Sequence, residues 1–357
     1  MEKIALNTAV NELLQKGTII PAHPLVLDKN RQLDEERQRR LTRYYMSAGV
    51  GGVAVGVHTT QFEIRKPEIN LLETVLRLAA EEIYKVQLNQ TFIKVAGIIG
   101  PTPNALQEAE LAVKYNYNLG LVSLGGLKDY SEDDLIGHVR KVSEIIPVFG
   151  FYLQPAVGGR ILSFNFWKQF ADIPNVHAIK VAAFNRYQTL DVVRAVSISA
   201  RRNEISLYTG NDDNIVSDLL TSYRFNINGE QVEKRFVGGL LGHWAVWTKK
   251  AVELFHEIKQ GLANDSSGIE KLLSKGIEVT DMNAVIFDAS NSFKGCIAGI
   301  HEVLRRQGLL EGIWCLNPKE SLSPGQMEEI DRIYKMYYDN TDDAFVKEFL
   351  EKEKNQI

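Results

Sequence analysis

Short, nearly continuous apolar runs alternate with longer amphipathic stretches between residues 17 and 261 of this 357-residue chain. Continuous apolar runs are typical of parallel strands covered on both faces, and apolar residues at helical spacing indicate the helices that cover them. The pattern predicts strands at 17–22, 51–57, 92–98, 119–124, 147–153, 176–181, 205–210 and 236–241. It predicts helices at 34–48, 68–86, 104–117, 131–145, 164–172, 187–201, 213–222 and 244–261.

The order of these predicted elements favours one fold. Eight strand–helix pairs favour a closed (β/α)8 barrel, a TIM barrel, over residues 1–261, including an N-terminal helix. The alternative is an open, doubly wound sheet, which needs a glycine-rich phosphate loop after an early strand. The segment 49–52, GVGG, precedes its strand and does not fit that pattern. We expect residues 262–357 to be helical throughout and to pack on the barrel as a C-terminal extension.

Composition and charge argue against several classes of protein. The net charge is −4, with 45% hydrophobic and 24% charged residues, so nothing favours a nucleic-acid-binding surface. No apolar stretch approaches the roughly 18 residues of a membrane span, and the N-terminus lacks the apolar core of a signal peptide. We therefore expect a cytoplasmic protein without membrane partners, in which Cys296 and Cys315 are thiols. No Cys/His cluster suggests a metal site, and no cofactor is predicted.

Lysines inside apolar strands are the first candidates for chemistry. Lys94 falls early in FIKVAG, whereas Lys180 falls late in HAIKVA, near the carboxyl end of its strand. Active sites of (β/α)8 barrels lie at that end, so Lys94 is interpreted as a side chain that reaches outward to solvent. Burial at the barrel mouth lowers a lysine's pKa and favours the neutral amine, which can attack a carbonyl group. Lys180 is therefore the candidate catalytic residue.

Other strand-end residues have both an ordinary and a functional interpretation. Tyr152 is an ordinary core aromatic on its own, but beside a Schiff-base lysine its phenol can relay a proton. Thr59 and Thr60 form either a turn or a cradle for a carboxylate. Asp212 and Asp213 are as easily a helix N-cap as a functional pair.

Several segments together resemble one enzyme family. The segments, in chain order, are PAHPLVLDKNRQLDEE, AGVGGVAVGVHTTQFEIR, VAGIIGPTPNALQEAELAVKYNYNLG, VFGFYLQP, NVHAIKVA, TGNDD and GGLLGHWA. Their order and their spacing of one barrel unit resemble the dihydrodipicolinate synthase / N-acetylneuraminate lyase family, from about residue 17 to 261. Members of that family are Schiff-base (β/α)8 barrels, so the resemblance implies the same fold that the apolar pattern predicts.

The resemblance implies roles for six residues. Lys180 would form the imine with a 2-oxo acid, typically pyruvate, and Tyr152 would relay the proton. Thr59 and Thr60 would hold the carboxylate or the relay chain. Gly210 and Gly239, at the last two strand ends, would bind the substrate. The resemblance also implies a homo-oligomer, either a dimer or a tetramer.

The chain departs from the family at positions that bind the second substrate and move protons. Gln61 and Phe62 follow the threonine pair where glycine and glutamate are usual, and Leu153 replaces an asparagine. The segment SLGGLKDY lacks the second tyrosine, and Val157 replaces the arginine of the synthases. These departures favour an aldolase or lyase acting on a 2-oxo acid or sugar acid. The alternatives are a sugar-acid dehydratase, a dihydrodipicolinate-type synthase, and a non-catalytic barrel that binds a small acid.

Overall fold

The computed structural model describes residues 5–86, 88, 90–263 and 268–355. Its strands are β1 (Ile19–Pro21), β2 (Gly52–Val55), β3 (Ile93–Ile98), β4 (Leu119–Ser123), β5 (Val148–Leu153), β6 (Val176–Ala182), β7 (Ser206–Thr209), β8 (Tyr223–Ile227), β9 (Glu230–Lys234) and β10 (Phe236–Leu241). Its α-helices are α1 (Thr8–Lys16), α2 (Glu35–Ala48), α3 (Leu72–Val86), α4 (Thr102–Lys114), α5 (Glu132–Ser143), α6 (Phe164–Ala171), α7 (Arg186–Ile198), α8 (Ile215–Leu220), α9 (Thr248–Ala263), α10 (Ile269–Ile286), α11 (Cys296–Arg306), α12 (Gln326–Met336) and α13 (Asp343–Lys354).

Each predicted strand has a counterpart, in β1–β7 and β10, and the strand–helix order along the chain is that of a (β/α)8 barrel. The predicted helix at 68–86 begins later, at Leu72, because a turn precedes it in which Asn70 has a φ of 46°. The predicted helix at 213–222 is shorter, spanning only α8. Among the described residues, no helix is long and apolar enough to cross a bilayer.

The chain forms two compact units. The first comprises Met1–Thr18 and Gln90–Leu240, and the second comprises Ile19–Asn89 and Leu241–Ile357. Both units combine segments that are distant in sequence. The predicted domain boundary at residue 261 stays a prediction.

The first unit is built on parallel strands that neighbour one another in chain order, from β3 through β7 to β10. Their side chains alternate between two faces. Helix α6 covers one face of β5, because a Cβ added at Gly150 would meet the ring of Phe170 at 2.6 Å. The aromatic residues Phe166, Trp167 and Phe170 of α6 are all buried on that side.

A β-hairpin that the apolar pattern did not predict also belongs to the first unit. Strands β8 and β9 pair in antiparallel fashion, and Asn228 and Gly229 between them have φ values of 54° and 87°. Two consecutive residues of positive φ are the requirement of a type I′ hairpin turn, and Asn-Gly is its preferred sequence. The Lys234 ammonium group anchors the hairpin by donating hydrogen bonds to the carbonyls of Arg202 and Ile205.

The second unit contains β1, β2, α2, α3 and α9–α13. The bridge Ala22–Ala54 links the first two strands in parallel. Helix α2 begins after Asp34, whose carboxylate accepts the Arg37 N–H, and ends at Gly49, which has a φ of 94°. The prediction that residues 262–357 are helical throughout is wrong, because irregular chain separates α11 from α12.

Candidate active site

Lys180 lies near the carboxyl end of β6 and is only 9% exposed. Its Nζ atom lies 4.5 Å from the ring centroid of Phe151 on β5, a cation–π distance. Burial lowers the pKa of Lys180 from 10.5 to about 8, although the negative charge of Asp212 raises it. A substantial fraction of this amine is therefore neutral near pH 8, as a nucleophile requires.

The strand register shows which side chains share a face with Lys180. Ser123 of β4 is in register with Phe151, Phe151 with Lys180, and Lys180 with Tyr208 of β7. Parallel neighbours in register direct their side chains to the same face. The Tyr208 phenol donates a hydrogen bond to the Leu14 carbonyl at 2.9 Å, so its proton is engaged in a contact with α1. Lys180 thus lies in a row with the Ser123 hydroxyl group and the aromatic rings of Phe151 and Tyr208.

Gly210 and Gly239 are predicted to bind substrate, and the structure shows which groups lie beside each of them. A Cβ added at Gly210 would lie 2.6 Å from Lys180 Cε and 2.9 Å from Ala182 Cβ, so the glycine leaves room for the lysine side chain. The Gly239 N–H donates to the Thr18 carbonyl at 3.2 Å. Their binding of substrate stays a prediction.

The loop after β7, which contains Asp212, is next to a network of buried hydrogen bonds. The carboxylate of Asp218 is fully buried and accepts hydrogen bonds from Arg186, from the Thr209 hydroxyl at 2.7 Å and from Asn211 Nδ2 at 2.9 Å. Asn211 Oδ1 in turn accepts the Phe184 N–H at 2.9 Å. These bonds join the loops after β6 and β7. The network therefore fixes the loop that holds Asp212 near Lys180.

Tyr152 lies on the other face of β5. It is in register with Val181, one residue past Lys180, and its ring packs against Trp167 of α6 at 5.1 Å. Its hydroxyl accepts the Leu162 N–H at 3.3 Å, and burial raises the pKa of the phenol. The structure therefore does not bring this side chain to Lys180. Its role as a proton relay stays a prediction.

Thr59 and Thr60 lie in the second unit, in a 3₁₀ turn after β2, and both are buried. The Thr59 hydroxyl donates to the Ala22 carbonyl at 2.9 Å, and the Thr60 hydroxyl donates to the His23 carbonyl at 2.7 Å. Thr60 Oγ1 also accepts the backbone N–H groups of residues 56 and 57. Both hydroxyls thus have the turn-stabilising role, and their binding of a carboxylate stays a prediction.

Sequence reasoning missed Phe151 and left the role of Asp212 open. The N-cap of α8 is Asn214, so Asp212 does not cap that helix. The alternation of β5 could have indicated Phe151, because it precedes Tyr152 and consecutive strand residues point to opposite faces. Across the described ranges, no three His, Cys, Asp or Glu side chains are grouped as metal ligands would be.

The chain thus has the strand–helix order of a (β/α)8 barrel and a buried strand-end lysine of lowered pKa. No protein-family model matches the chain. It is 26% identical to an N-acetylneuraminate lyase from Citrobacter koseri over 205 residues, covering 57% of this chain and 65% of that enzyme, a little under two thirds. It is 22% identical to N-acetylneuraminate lyase 2 from Escherichia coli O6:H1 over 323 residues, covering 89% of this chain and 92% of that enzyme.

Solved structures share the fold. Dihydrodipicolinate synthase from Oceanobacillus iheyensis superposes with a TM-score of 0.73 at 16% identity, covering 92% of this chain and 99% of that one. N-acetylneuraminate lyase from Fusobacterium nucleatum, complexed with pyruvate, gives 0.68 at 18% identity, covering 91% and 98%. These structures confirm the predicted (β/α)8 fold. The chain is therefore similar in sequence to N-acetylneuraminate lyases and similar in fold to solved structures of both enzymes.

Proposed function

We propose that the protein is a Schiff-base-forming lyase or aldolase that acts on a pyruvate-type 2-oxo acid, or on a sugar acid that contains one. The observation that carries the proposal is Lys180, a buried strand-end amine whose pKa is lowered to about 8 by burial. A buried cation is costly to a fold, so a lysine held in this position requires a reason other than stability.

The neutral Lys180 amine attacks the keto carbon of the 2-oxo acid and forms a carbinolamine, which loses water to give a protonated imine. In the cleavage direction, the bond between the third and fourth substrate carbons breaks, and its electron pair moves into the imine to form an enamine. The hydroxyl on the fourth carbon loses its proton, and that fragment leaves as an aldehyde. The enamine carbon then takes a proton, and water releases the 2-oxo acid and restores the lysine.

The surroundings of Lys180 suit both protonation states that this cycle needs. Burial favours the neutral nucleophile, whereas the Phe151 ring and the charge of Asp212 favour a cation at the same place. Gly210 keeps the space beside the lysine open. A site that tolerates the free amine and the charged imine alike needs little rearrangement between steps.

Borohydride trapping tests the proposal. Incubation with pyruvate and borohydride should give a stable mass adduct that maps to Lys180, and Lys180→Ala should abolish it. Lys94→Ala is the matched control, because Lys94 is also a strand lysine with a pKa lowered by burial, and its Nζ donates to the Tyr115 carbonyl at 3.4 Å. Absence of an adduct with pyruvate and with a panel of 2-oxo acids would contradict the proposal, as would turnover in Lys180→Ala.

A sugar-acid dehydratase and a dihydrodipicolinate-type synthase use the same imine, and product analysis separates them from an aldolase. A barrel that binds a small acid without turnover is favoured by one observation, the position of the Tyr152 phenol on the face opposite Lys180. Thermal stabilisation by pyruvate without any adduct or product would support that alternative.

The proposal includes a cytoplasmic homo-oligomer, a dimer or a tetramer. Exposed apolar side chains at the start of α6 and α7 support a protein contact there: Ile161 is 64%, Tyr187 83% and Leu190 42% exposed. Sedimentation equilibrium measures the number of subunits directly.

A further inference from the structure

Asp218 of α8 joins two residues of the preceding loop through a single carboxylate oxygen. Its Oδ2 atom accepts hydrogen bonds from the Thr209 hydroxyl at 2.7 Å and from Asn211 Nδ2 at 2.9 Å. The Asn211 N–H also donates to Thr209 Oγ1 at 3.2 Å, which closes a ring of bonds. We name these three side chains, all of which are buried, the clamp. Hydrogen bonds to a carboxylate are stronger than those between neutral groups, so the clamp restrains both ends of the segment between Thr209 and Asn211.

The residue between the two ends of the clamp is Gly210, which packs against Lys180. A Cβ added at Gly210 would lie 2.6 Å from Lys180 Cε and 3.0 Å from Lys180 Cγ, so the glycine backbone lies against the aliphatic part of the lysine. The Gly210 N–H donates to the Val181 carbonyl of β6 at 2.7 Å. Asp218 therefore holds both chain neighbours of a residue that contacts Lys180.

The clamp also bonds to the segment that follows β6, the strand of Lys180. The other carboxylate oxygen of Asp218 accepts a hydrogen bond from the Arg186 guanidinium at the start of α7. Asn211 Oδ1 accepts the Phe184 N–H at 2.9 Å, at a residue whose φ of 51° is unusual for phenylalanine. The loops after β6 and β7 are thus tied to each other through buried bonds, all within the first unit.

Asp212 connects the clamp to the charge of Lys180. It follows Asn211 directly in the chain, and its negative charge, not that of Asp218, raises the pKa of the lysine. In the row of Lys180 the titratable neighbour is Tyr208, whose phenol donates to the Leu14 carbonyl. The charged and titratable groups that interact with Asp218 come from three elements: Arg186 of α7, Asp213 of the loop and Tyr223 of β8.

We propose that Asp218 is a positioning residue for the imine chemistry: through Thr209 and Asn211 it holds Gly210 against the Lys180 side chain and Asp212 beside the amine. The inference rests on the proposed function, because it concerns the lysine that forms the imine. It makes a buried carboxylate of α8 part of the reactive arrangement, although Asp218 itself does not contact the substrate. Reacting groups must be held within about 0.5 Å of their productive geometry, and hydrogen-bonded neighbours supply that restraint.

Two substitutions break the clamp in different ways. Asp218→Asn keeps the shape of the side chain, but an amide nitrogen then faces donors where a carboxylate oxygen accepted their hydrogen bonds. Thr209→Val removes one donor and keeps a branched side chain of similar shape, so it tests the inference if the first variant does not fold.

Asp288→Asn is the matched control, because it makes the same chemical change at a buried carboxylate of the second unit. Asp288 is 2% exposed and accepts hydrogen bonds from three groups: Asn291 Nδ2, the Gly295 N–H and the Ser323 hydroxyl. It therefore reproduces the loss of a buried acceptor without touching the clamp.

The measurement is the rate of pyruvate trapping at Lys180 from pH 5.5 to 9.5. Asp218→Asn should shift the midpoint to lower pH, because the anion that raises the pKa of the amine is no longer held beside it. The shift should not exceed that of Asp212→Asn, and Thr209→Val should shift the midpoint in the same direction by less. In an Asp212→Asn background, Asp218→Asn should leave the midpoint unchanged, since the group that it positions is already absent. Asp288→Asn should keep the wild-type midpoint.

Each of the other outcomes contradicts a specific statement. A loss of trapping at every pH with the wild-type midpoint would give Asp218 a structural role only and would overturn the inference. The same shift with and without Asp212 would overturn it as well, because Asp218 would then act through its own charge, and so would an equal shift in Asp288→Asn. A wild type that does not trap any 2-oxo acid would instead overturn the proposed function, and the role of Asp218 with it.

Discussion

The pKa of Lys180 depends on two opposing effects. Burial lowers the pKa of the amine from 10.5 to about 8, and the charge of Asp212 raises it. Without burial the amine would be almost fully protonated near neutral pH and would be a poor nucleophile. Without Asp212 the charged imine would lose a compensating anion. Under the proposed mechanism, the balance between these effects sets the pH at which imine formation begins.

Asp212→Asn should therefore shift the pH dependence of pyruvate trapping to lower pH. In the wild type the trapping rate should rise with pH to a midpoint near 8, because only the neutral amine attacks. Removing the anion removes the contribution that raises the pKa, so the midpoint must fall. Trapping rates measured from pH 5.5 to 9.5 give both midpoints.

Asp133→Asn provides the control for that shift. It makes the same change of charge at an exposed carboxylate in α5 of the same unit. Its midpoint should match the wild type. An Asp212→Asn midpoint at or above the wild-type value would show that another group controls the amine.

At the scale of elements, the alternation of one strand decides which aromatic side chain meets Lys180. Phe151 and Tyr152 are consecutive in β5, so they point to opposite faces. The register places Phe151 beside Lys180 and Tyr152 beside Val181. Strand β5 therefore presents a phenyl ring to the lysine and a phenol to helix α6. A single residue of slip in register would exchange the two.

Tyr152→Phe should leave pyruvate trapping within about twofold of the wild type, because the hydroxyl contacts the Leu162 N–H and not Lys180. It should cost about 1 kcal/mol of unfolding free energy, since the buried Leu162 N–H loses its acceptor. Trapping kinetics and urea unfolding measure the two effects. A loss of turnover of a hundredfold or more would instead support the proton-relay role that the family resemblance implies.

The sequence predicted those parts of the fold that depend on local patterns. Apolar runs located the barrel strands, and the late position of Lys180 in its run placed it at the strand end. The β8–β9 hairpin was missed, although Asn228-Gly229 is the turn sequence such hairpins prefer. That segment alternates polar and apolar residues, so it lacks the continuous apolar run that predicts the barrel strands.

The remaining features depend on contacts between distant residues. The placement of Tyr152 required the register between β5 and β6, which no local pattern contains. The bond between Gln61 and Leu316 joins residues far apart in sequence, in a segment that had been expected to be helical. Within the described residues Gln61 Nε2 has no hydrogen-bond partner, and neither composition nor periodicity predicts this. Only the departure from the family after the threonine pair pointed to this position.

At the scale of the whole molecule, the C-terminal extension is bound into the second unit by buried polar contacts. Asp342, which is 3% exposed, accepts hydrogen bonds from Tyr44 Oη of α2 at 2.7 Å, from the Lys249 N–H of α9 at 2.9 Å and from Gln307 Nε2 at 2.7 Å. Arg43 of α2 also donates to the Glu353 carboxylate of α13. The extension, α2 and α9 therefore belong to the same compact unit.

Asp342→Ala should lower the unfolding free energy by about 2–4 kcal/mol, because it leaves three donors in a buried place without their acceptor. Since those donors belong to separate elements, amide exchange should quicken together in α2 and in α13. Urea unfolding measures the first effect, and hydrogen exchange read by mass spectrometry measures the second. Asp339→Ala is the control, because that nearby carboxylate is exposed, and it should change unfolding by no more than about 0.5 kcal/mol. Faster exchange confined to α13, with α2 unchanged, would mean that the extension unfolds separately and that Asp342 does not couple it to the rest of its unit.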